Sequence, residues 1–362
     1  SAGLAPLRLA GKALLPIVQG GMGIGVSAHR LAGSVAACDA MGTLSSVDLR
    51  RHHPDLMERT RGLGTGADAK ACIDEANLEA LSREVRQARA LAQGAGLLAM
   101  NVMRAVSEYA AYVKRSLEEG IDALVVGAGL PLDLPDLAAE HPRTALIPIL
   151  SDARGVQLVL RKWERKKRVP DAIVLEHPRL AGGHLGAAKV ADVNDARFEF
   201  ERCIPETLAV LRAAGVERQV PVIAAGGIRS LDDIRRVTAL GAAGVQLGTP
   251  FAVTLESDAH PEFKRVLAEA REEDKVEFVE SNTSIYFDPQ SPLARARNAN
   301  ISNAILASES IVAEDNDAGE GREVAVDGPL ATPRGGFNVA SGRQSLRMPS
   351  RFGRSAMSCT KI

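Results

Sequence analysis

The feature that most constrains the fold of this chain is an alternation of short apolar runs with amphipathic segments. The runs are continuously apolar, which is typical of parallel strands covered on both faces. Eight runs are found: Pro16–Gln19, Gly42–Ser46, Leu97–Val102, Ala123–Val126, Ala145–Leu150, Ala172–Leu175, Pro221–Ala225 and Gly244–Leu247. The amphipathic segments predict helices: Leu78–Ala92, Ser107–Glu119, Gly155–Lys166, Phe198–Ala214 and Leu231–Ala239. Eight βα units in about 250 residues predict an α/β fold, a TIM (β/α)8 barrel, since a Rossmann sheet usually ends near six strands.

Two parts of the chain depart from this alternation. Residues 47–96 form an insertion after the second strand, and their polar stretch RHHPDLMERTRGLGTGADAK is predicted to form a lid over the barrel. Residues 1–257 are assigned to the barrel and residues 308–362 to a C-terminal tail. Residues 258–307 are assigned to a small helical segment on the substrate side that includes Pro261–Arg271. The tail is polar and rich in Gly and Pro, which is typical of a wrapping arm, a flexible tail or a segment ordered by a partner.

The composition argues against several classes of function. The formal net charge of -1 gives no electrostatic basis for binding nucleic acid or an anionic membrane. We find no signal-peptide pattern and no apolar run of about 18 residues, so we expect a soluble, cytoplasmic protein. No C-x-x-C pair and no histidine–acid spacing indicates a metal site. The sequence does not indicate an oligomeric state.

Glycines cluster where the predicted strands end, which is the end of a barrel that holds the active site. The first run is followed by Gly20–Gly23, the seventh by Gly226 and Gly227, and the eighth by Gly248 and Thr249. A β-carbon would keep a phosphate away from the backbone amides, and the loops after strands seven and eight commonly hold one. We therefore predict a phosphate site at these last two loops.

The first glycine turn also allows a different interpretation. Gly23, Gly25 and Ala28 form a G-x-G-x-x-A pattern, and Asp48 follows at about the distance of a ribose-binding acid. From the residues alone, a dinucleotide-binding turn therefore stays open.

His184 is the best candidate for a catalytic residue. It lies in LAGGHLG, after the sixth predicted strand, between Gly183 and Gly186. Imidazole is the usual group for proton transfer near neutral pH, and the glycines allow a cofactor and a substrate to approach it. The alternative is a loop histidine bonded to a backbone carbonyl.

Six motifs, in this order along the chain, resemble the nitronate monooxygenase family, also called 2-nitropropane dioxygenases. They are PIVQGGMG, NVM, GAGLP, AGGHLG, PVIAAGGI and GAAGVQLGTPF, and the resemblance covers about residues 7–274. The family consists of FMN-dependent TIM barrels related to the flavin-type enoyl-ACP reductases. One position departs from the pattern, because some relatives have a basic residue after the fifth strand, where this chain has Ser151 and Asp152.

The resemblance implies that the first glycine turn lies against a flavin ring rather than a pyrophosphate. It implies that Glu176 contacts the ribityl chain, that Asn101 lies near the isoalloxazine, and that the later glycines bind the phosphate. The implied cofactor-binding residues are Gly21, Met22, Gly23, Asn101, Glu176, Gly182, Gly183, Ala225, Gly226, Gly227, Gly248 and Thr249.

The activity implied by the resemblance is the FMN-dependent oxidation of alkyl nitronates or nitroalkanes by dioxygen. The products would be a carbonyl compound and nitrite, with His184 as the base on the carbon acid. Two other activities found on this fold remain as alternatives, those of an FMN-dependent enoyl-thioester reductase and of an NAD(P)H:quinone reductase. A barrel that binds a phosphate ligand without catalysis is a further alternative, because a fold alone does not determine a function.

Overall fold

A closed barrel of parallel strands forms the centre of this computed structural model, which describes residues 3–64, 66–181, 186–187, 190–269, 328–330 and 337–339. The strands are β1 (Leu7–Leu9), β2 (Lys12–Leu14), β3 (Ile17–Gln19), β4 (Met41–Ser45), β5 (Leu97–Met103), β6 (Ala123–Gly127), β7 (Ala145–Leu150), β8 (Ile173–Glu176), β9 (Val222–Ala225), β10 (Gly244–Leu247), β11 (Gly328–Leu330) and β12 (Phe337–Val339). Strands β3 to β10 pair in chain order, and β10 closes the barrel on β3. The predicted TIM barrel is confirmed, and each predicted run matches a strand to within one residue at either end.

Helices follow the barrel strands and form its outer layer. They are α1 (His29–Ala37), α2 (Pro54–Arg59), α3 (Ala67–Ala92), α4 (Tyr109–Glu118), α5 (Leu134–Leu137), α6 (Ala153–Glu164), α7 (Phe200–Ala213), α8 (Leu231–Ala239), α9 (Thr249–Ala252) and α10 (Pro261–Glu269), with 3-10 helices at Leu49–His52, Val190–Asn194 and Ala196–Phe198. Helix α8 begins with a capping box, in which Ser230 and Asp233 each bond the other's backbone amide. Such a box satisfies amides that the first helical turn leaves unpaired.

The apolar core has two layers separated by the strands. The inner layer fills the barrel with aliphatic side chains such as Met41, Val125 and Ile223. Leucines of the β1–β2 hairpin belong to this layer, so the hairpin closes the amino-terminal end of the barrel. The outer layer lies between strands and helices and includes the fully buried Trp163. With one end closed, a ligand has access to the barrel interior from the carboxyl end of the strands, which we call the mouth.

The insertion between the second and third barrel strands is largely helical. Residues 47–96 contain one 3-10 helix, α2 and the 26 residues of α3, whose buried face includes Leu81 and Val85. A lid role for the residues before α3 stays a prediction. In the segment assigned to the tail, the structure describes an antiparallel pair, β11 with β12, that was not predicted. The boundaries at residues 257 and 307 also stay predictions.

Within the part of the chain that the structure describes, no helix combines the length and the apolar composition needed to cross a bilayer.

Candidate active site

A row of polar and small side chains crosses three neighbouring strands at the mouth. Glu176 on β8 pairs with Ala225 on β9, and Ala225 pairs with Gln246 on β10. Paired residues of adjacent strands point to the same face, and Ala225 belongs to the inner layer. Glu176 and Gln246 therefore also face the barrel interior, on strands roughly 10 Å apart. The methyl group of Ala225 leaves space between them.

Both polar members of this row have unused hydrogen-bonding capacity. Burial raises the pKa of Glu176 to about 8, so its carboxyl group is largely protonated at neutral pH. Gln246 Oε1 is buried and accepts no hydrogen bond from the described residues. A buried polar group without a partner is unfavourable, so the row suits a ligand that brings several hydroxyl groups.

The wall of the mouth next to this row is the segment Gly20–Ala28, which follows β3 and which we call the glycine loop. A β-carbon on Gly21 would lie 2.9 Å from Asn101 Cγ and closer still to Asn101 Cβ. A β-carbon on Gly23 would lie 2.7 Å from Ser45 Oγ. Asn101 and Ser45 are paired residues of β5 and β4. The backbone of the glycine loop therefore rests directly on side chains at the ends of two strands, and glycine is required there by close approach.

A buried glutamine, Gln19, fixes the start of the glycine loop, and its role was not predicted. Thr43 N donates to Gln19 Oε1 at 2.8 Å, and Gln19 Nε2 donates to Thr43 O at 3.0 Å. Gln19 Nε2 also donates to Ser27 Oγ at 2.9 Å, and the same hydroxyl accepts from Met22 N at 3.0 Å. The available signal was a polar residue at the end of an apolar strand, where an unpaired amide would be unfavourable.

The glycines after β9 have a structural explanation of their own. Gly226 and Gly227 have φ values of +107° and +68°, which side-chain-bearing residues rarely adopt. A β-carbon on Gly227 would lie 2.8 Å from Leu180 Cδ1, in the loop that follows β8. The backbone conformation thus favours glycine here without any ligand, and phosphate binding stays a prediction.

The last predicted loop leads into a short helix at the mouth. Gly248 precedes α9, which begins at Thr249. The nearest atom to a β-carbon on Gly248 would be Met22 Sδ, at 3.5 Å. The loop after β10 and the glycine loop are therefore neighbours, so the structure brings together Gly248 and Met22 from opposite ends of the barrel sequence.

His177 follows Glu176 directly but faces the outer layer. Its ring lies edge-on to Phe200, with centroids 5.6 Å apart, and its Nε2 lies 3.6 Å from a carboxylate oxygen of Glu199. Burial lowers the pKa of His177, because it penalises the charged imidazolium. His177 is therefore a neutral packing residue at neutral pH.

His184, Gly182 and Gly183 lie outside the described residues, so their catalytic and cofactor-binding roles stay predictions. The two described ends of their loop lie at neighbouring strands. Ala181 N donates to His177 O just after β8, and a β-carbon on Gly186 would overlap the hydroxyl of Ser151, which follows β7.

The dinucleotide interpretation of the first glycine turn is wrong. The turn follows the first strand of a closed barrel rather than an open Rossmann sheet. Asp48, the supposed ribose-binding acid, pairs with Arg51 at 2.7 Å and with Arg50 at 3.1 Å. Burial opposes ionisation of Asp48, but these two guanidinium groups hold its pKa below the ordinary value. Among the described residues, no cluster of His, Cys, Asp or Glu is arranged to hold a metal ion.

Comparisons with known proteins agree with this architecture. The family model described as nitronate monooxygenase matches residues 8–286. The chain is 29% identical over 265 residues to a probable nitronate monooxygenase of Bacillus subtilis, which is 72% of each protein. A shorter match, 37% identical over 99 residues, covers 27% of this chain and 25% of a nitronate monooxygenase of Pseudomonas aeruginosa.

Two solved structures have a similar fold. Nitroalkane oxidase from Streptomyces ansochromogenes has a TM-score of 0.57 at 18% identity, and the alignment covers 97% of this chain and 94% of that one. FabK from Thermotoga maritima has a TM-score of 0.54 at 20% identity, over 92% and 88% of the two chains. At these identities the likeness shows the fold alone.

Proposed function

The chain belongs to the nitronate monooxygenase family, and from this premise we propose that it oxidises alkyl nitronates with dioxygen, using FMN, to a carbonyl compound and nitrite. The observation that carries the proposal is the family match over residues 8–286, because it includes every strand of the barrel. The Bacillus subtilis relative supports it over 72% of the chain.

The residues at the mouth fit FMN. Glu176 and Gln246 offer unpaired polar groups to the ribityl hydroxyls, and the glycine loop offers the ring a backbone without side chains at Gly21 and Gly23. The amides near Gly227 and Thr249 are where the phosphate would be held. When bound, FMN supplies the electron transfer between nitronate and dioxygen.

The protein itself contributes orientation and proton transfer. His184 is proposed to take the proton from the carbon of a neutral nitroalkane, which leaves the nitronate anion. Glu176, with a pKa of about 8, is largely uncharged at neutral pH, so it can hydrogen-bond a hydroxyl without repelling that anion or the phosphate. The aliphatic inner layer below the row provides a floor that excludes water.

Flavin content and anaerobic reduction test the proposal. The purified protein should be yellow and should release FMN, not FAD, on denaturation. Mixed without oxygen with propionate-3-nitronate, the flavin should bleach, and admitted oxygen should restore the colour and yield nitrite. A protein that binds no flavin after reconstitution, or that binds FAD, would contradict the proposal.

A parallel mixing experiment with NADH and with NADPH distinguishes the proposed nitronate oxidation from the two reductase activities. Bleaching by a nicotinamide but not by the nitronate would assign the chain to the enoyl-thioester or quinone reductases. An unchanged spectrum in all three mixtures would favour a non-catalytic barrel.

A further inference from the structure

Helix α1, which follows the glycine loop, takes its cap from two distant parts of the chain. Its N-cap residue is Ala28, which has no side-chain acceptor. Glu84 Oε2 on α3 accepts from His29 N at 2.7 Å instead. Asp258 Oδ2 accepts from Ala28 N at 3.0 Å and from Leu31 N at 3.1 Å. Two carboxylates thus satisfy the amides that a helix start leaves unpaired.

Glu84 is fully buried and lies between two histidines. The same oxygen that caps α1 lies 2.8 Å from His29 Nδ1. The other oxygen, Oε1, lies 3.0 Å from His53 Nε2, although the two groups are not aligned for a hydrogen bond. The Glu84 side chain has 0% exposure, so water does not weaken these contacts by screening.

Residues around Glu84 contact the glycine loop not only at its last residue, Ala28, but also at Gly25 and Val26. His52 Nε2 is buried, has no hydrogen-bond partner among the described residues, and lies 3.8 Å from the position of a β-carbon on Gly25. Val26 O accepts from Asp258 N at 3.3 Å. The groups that cap α1 therefore also line the outer side of the loop, opposite to the side that rests on Asn101.

We propose that Glu84 is a positioning residue for the cofactor. Through His29, Glu84 keeps the glycine loop in place, and the strength of this interaction depends on pH. The inference rests on the proposed function, because it takes the loop to contact FMN. Glu84 reaches no reacting atom itself. It fixes the start of α1, and α1 fixes the loop that forms one wall of the mouth.

The pH dependence follows from the charge on His29. Its hydrogen bond to Glu84 raises the pKa of His29 above the ordinary value of 6.5, despite burial. The extra stability of the protonated pair is therefore complete below pH 6.5 and is lost as the pH rises through the pKa of His29 in the folded protein. Burial lowers the pKa of His53, so His53 stays neutral over that interval. The other charged or titratable groups that face the cluster are Arg30 of α1, His52, Asp55 of α2, Arg83 of α3, Asp258 and Lys264 of α10.

Flavin affinity as a function of pH tests the inference. FMN would be titrated into apoprotein, with flavin fluorescence as the readout, from about pH 6 to about pH 9, where histidines change charge. In the wild type, the dissociation constant should increase with pH. Glu84→Gln should weaken binding at the lowest pH on the order of tenfold, as expected for a lost charge-assisted hydrogen bond, and should remove the pH dependence.

Two further variants separate titration from packing. His29→Asn replaces Nδ1 by an amide donor that does not titrate, so it should retain most of the affinity while its dissociation constant no longer changes with pH. Glu75→Gln changes an exposed glutamate on the same helix and should behave as the wild type in every respect.

The outcomes distinguish this inference from the proposed function. Wild-type affinity in Glu84→Gln, or a wild-type pH profile in His29→Asn, would overturn the positioning role. A lower melting temperature of Glu84→Gln with unchanged flavin affinity would likewise overturn it and leave Glu84 a purely structural residue. A wild-type protein that binds no FMN at any pH would refute the proposed function itself.

Discussion

Gly21→Ala tests how closely the glycine loop rests on the barrel. The new β-carbon would lie 2.9 Å from Asn101 Cγ and 3.2 Å from Thr43 Cγ2. Carbon atoms pack best at about 3.5–4.0 Å, so the loop must move by roughly 0.6–1.1 Å or more. No side-chain rotation relieves the clash, because Asn101 Cβ, which lies closer still, is fixed by the backbone of β5.

The magnitude follows from what is known of overpacked cores. An added methyl group without room typically costs about 1–3 kcal/mol. For a domain of this size that corresponds to a fall in melting temperature of roughly 2–6 °C. Flavin affinity should fall as well, because the displaced backbone is the surface proposed to meet the ring. Thermal unfolding of the apoprotein and a flavin titration measure the two effects separately.

A double mutant and a control make the result specific. Asn101→Gly removes the atoms that clash, so the double variant should be more stable than the sum of the single effects by about 0.5–3 kcal/mol. Gly64→Ala adds a methyl group where no atom lies within 4 Å, so its stability should stay within about 0.5 kcal/mol of the wild type. A Gly21→Ala protein as stable as the wild type, or strict additivity with Asn101→Gly, would refute the close approach.

Three further predictions concern Gly227, the proposed base His184 and the buried Glu176. Gly227→Val should lower the melting temperature and abolish flavin retention while the barrel stays folded, because Gly227 has a φ of +68° and a β-carbon would lie 2.8 Å from Leu180 Cδ1; full flavin occupancy would contradict the phosphate assignment. His184→Asn should lower activity on neutral nitroalkanes by about 10²–10⁴-fold and on preformed nitronates by less, and equal losses would indicate a role in binding. Glu176→Gln should raise the melting temperature of the apoprotein above pH 8 but not below pH 4.5. The reason is that burial favours the protonated carboxyl group, so wild-type stability falls as the pH rises between those values; parallel pH profiles would contradict the raised pKa.

The strands were predictable because each is a continuous apolar run bounded by polar or glycine residues. The capping box at Ser230 was predictable because both partners lie three residues apart. The start of α3 was not, because the helix begins at Ala67 whereas the periodic pattern becomes clear only at Leu78. Its first turns are held by tertiary packing and ion pairs such as that between Lys70 and Asp74.

The support of the candidate site lay beyond the reach of local patterns. Gln19 was visible as a polar residue in a strand, but its partner Thr43 is 24 positions away. Glu84 and Asp258, whose carboxylates cap α1, are 55 and 230 positions from the residues whose backbone amides donate to them. Only the folded barrel brings such groups together, so the sequence could indicate the surface proposed to meet a ligand but not the groups behind it.

The barrel can close only after β10 has been synthesised, long after β3. Strand β3 gains one neighbour when β4 is made, but its other edge pairs with β10, about 230 residues later. At the usual pace of translation this interval is roughly 10–50 s. Throughout it, the ribosome-bound chain has an open, apolar sheet edge of the kind that templates aggregation. Cellular yield is therefore expected to respond to translation speed and chaperone supply more than the stability of the finished barrel would suggest.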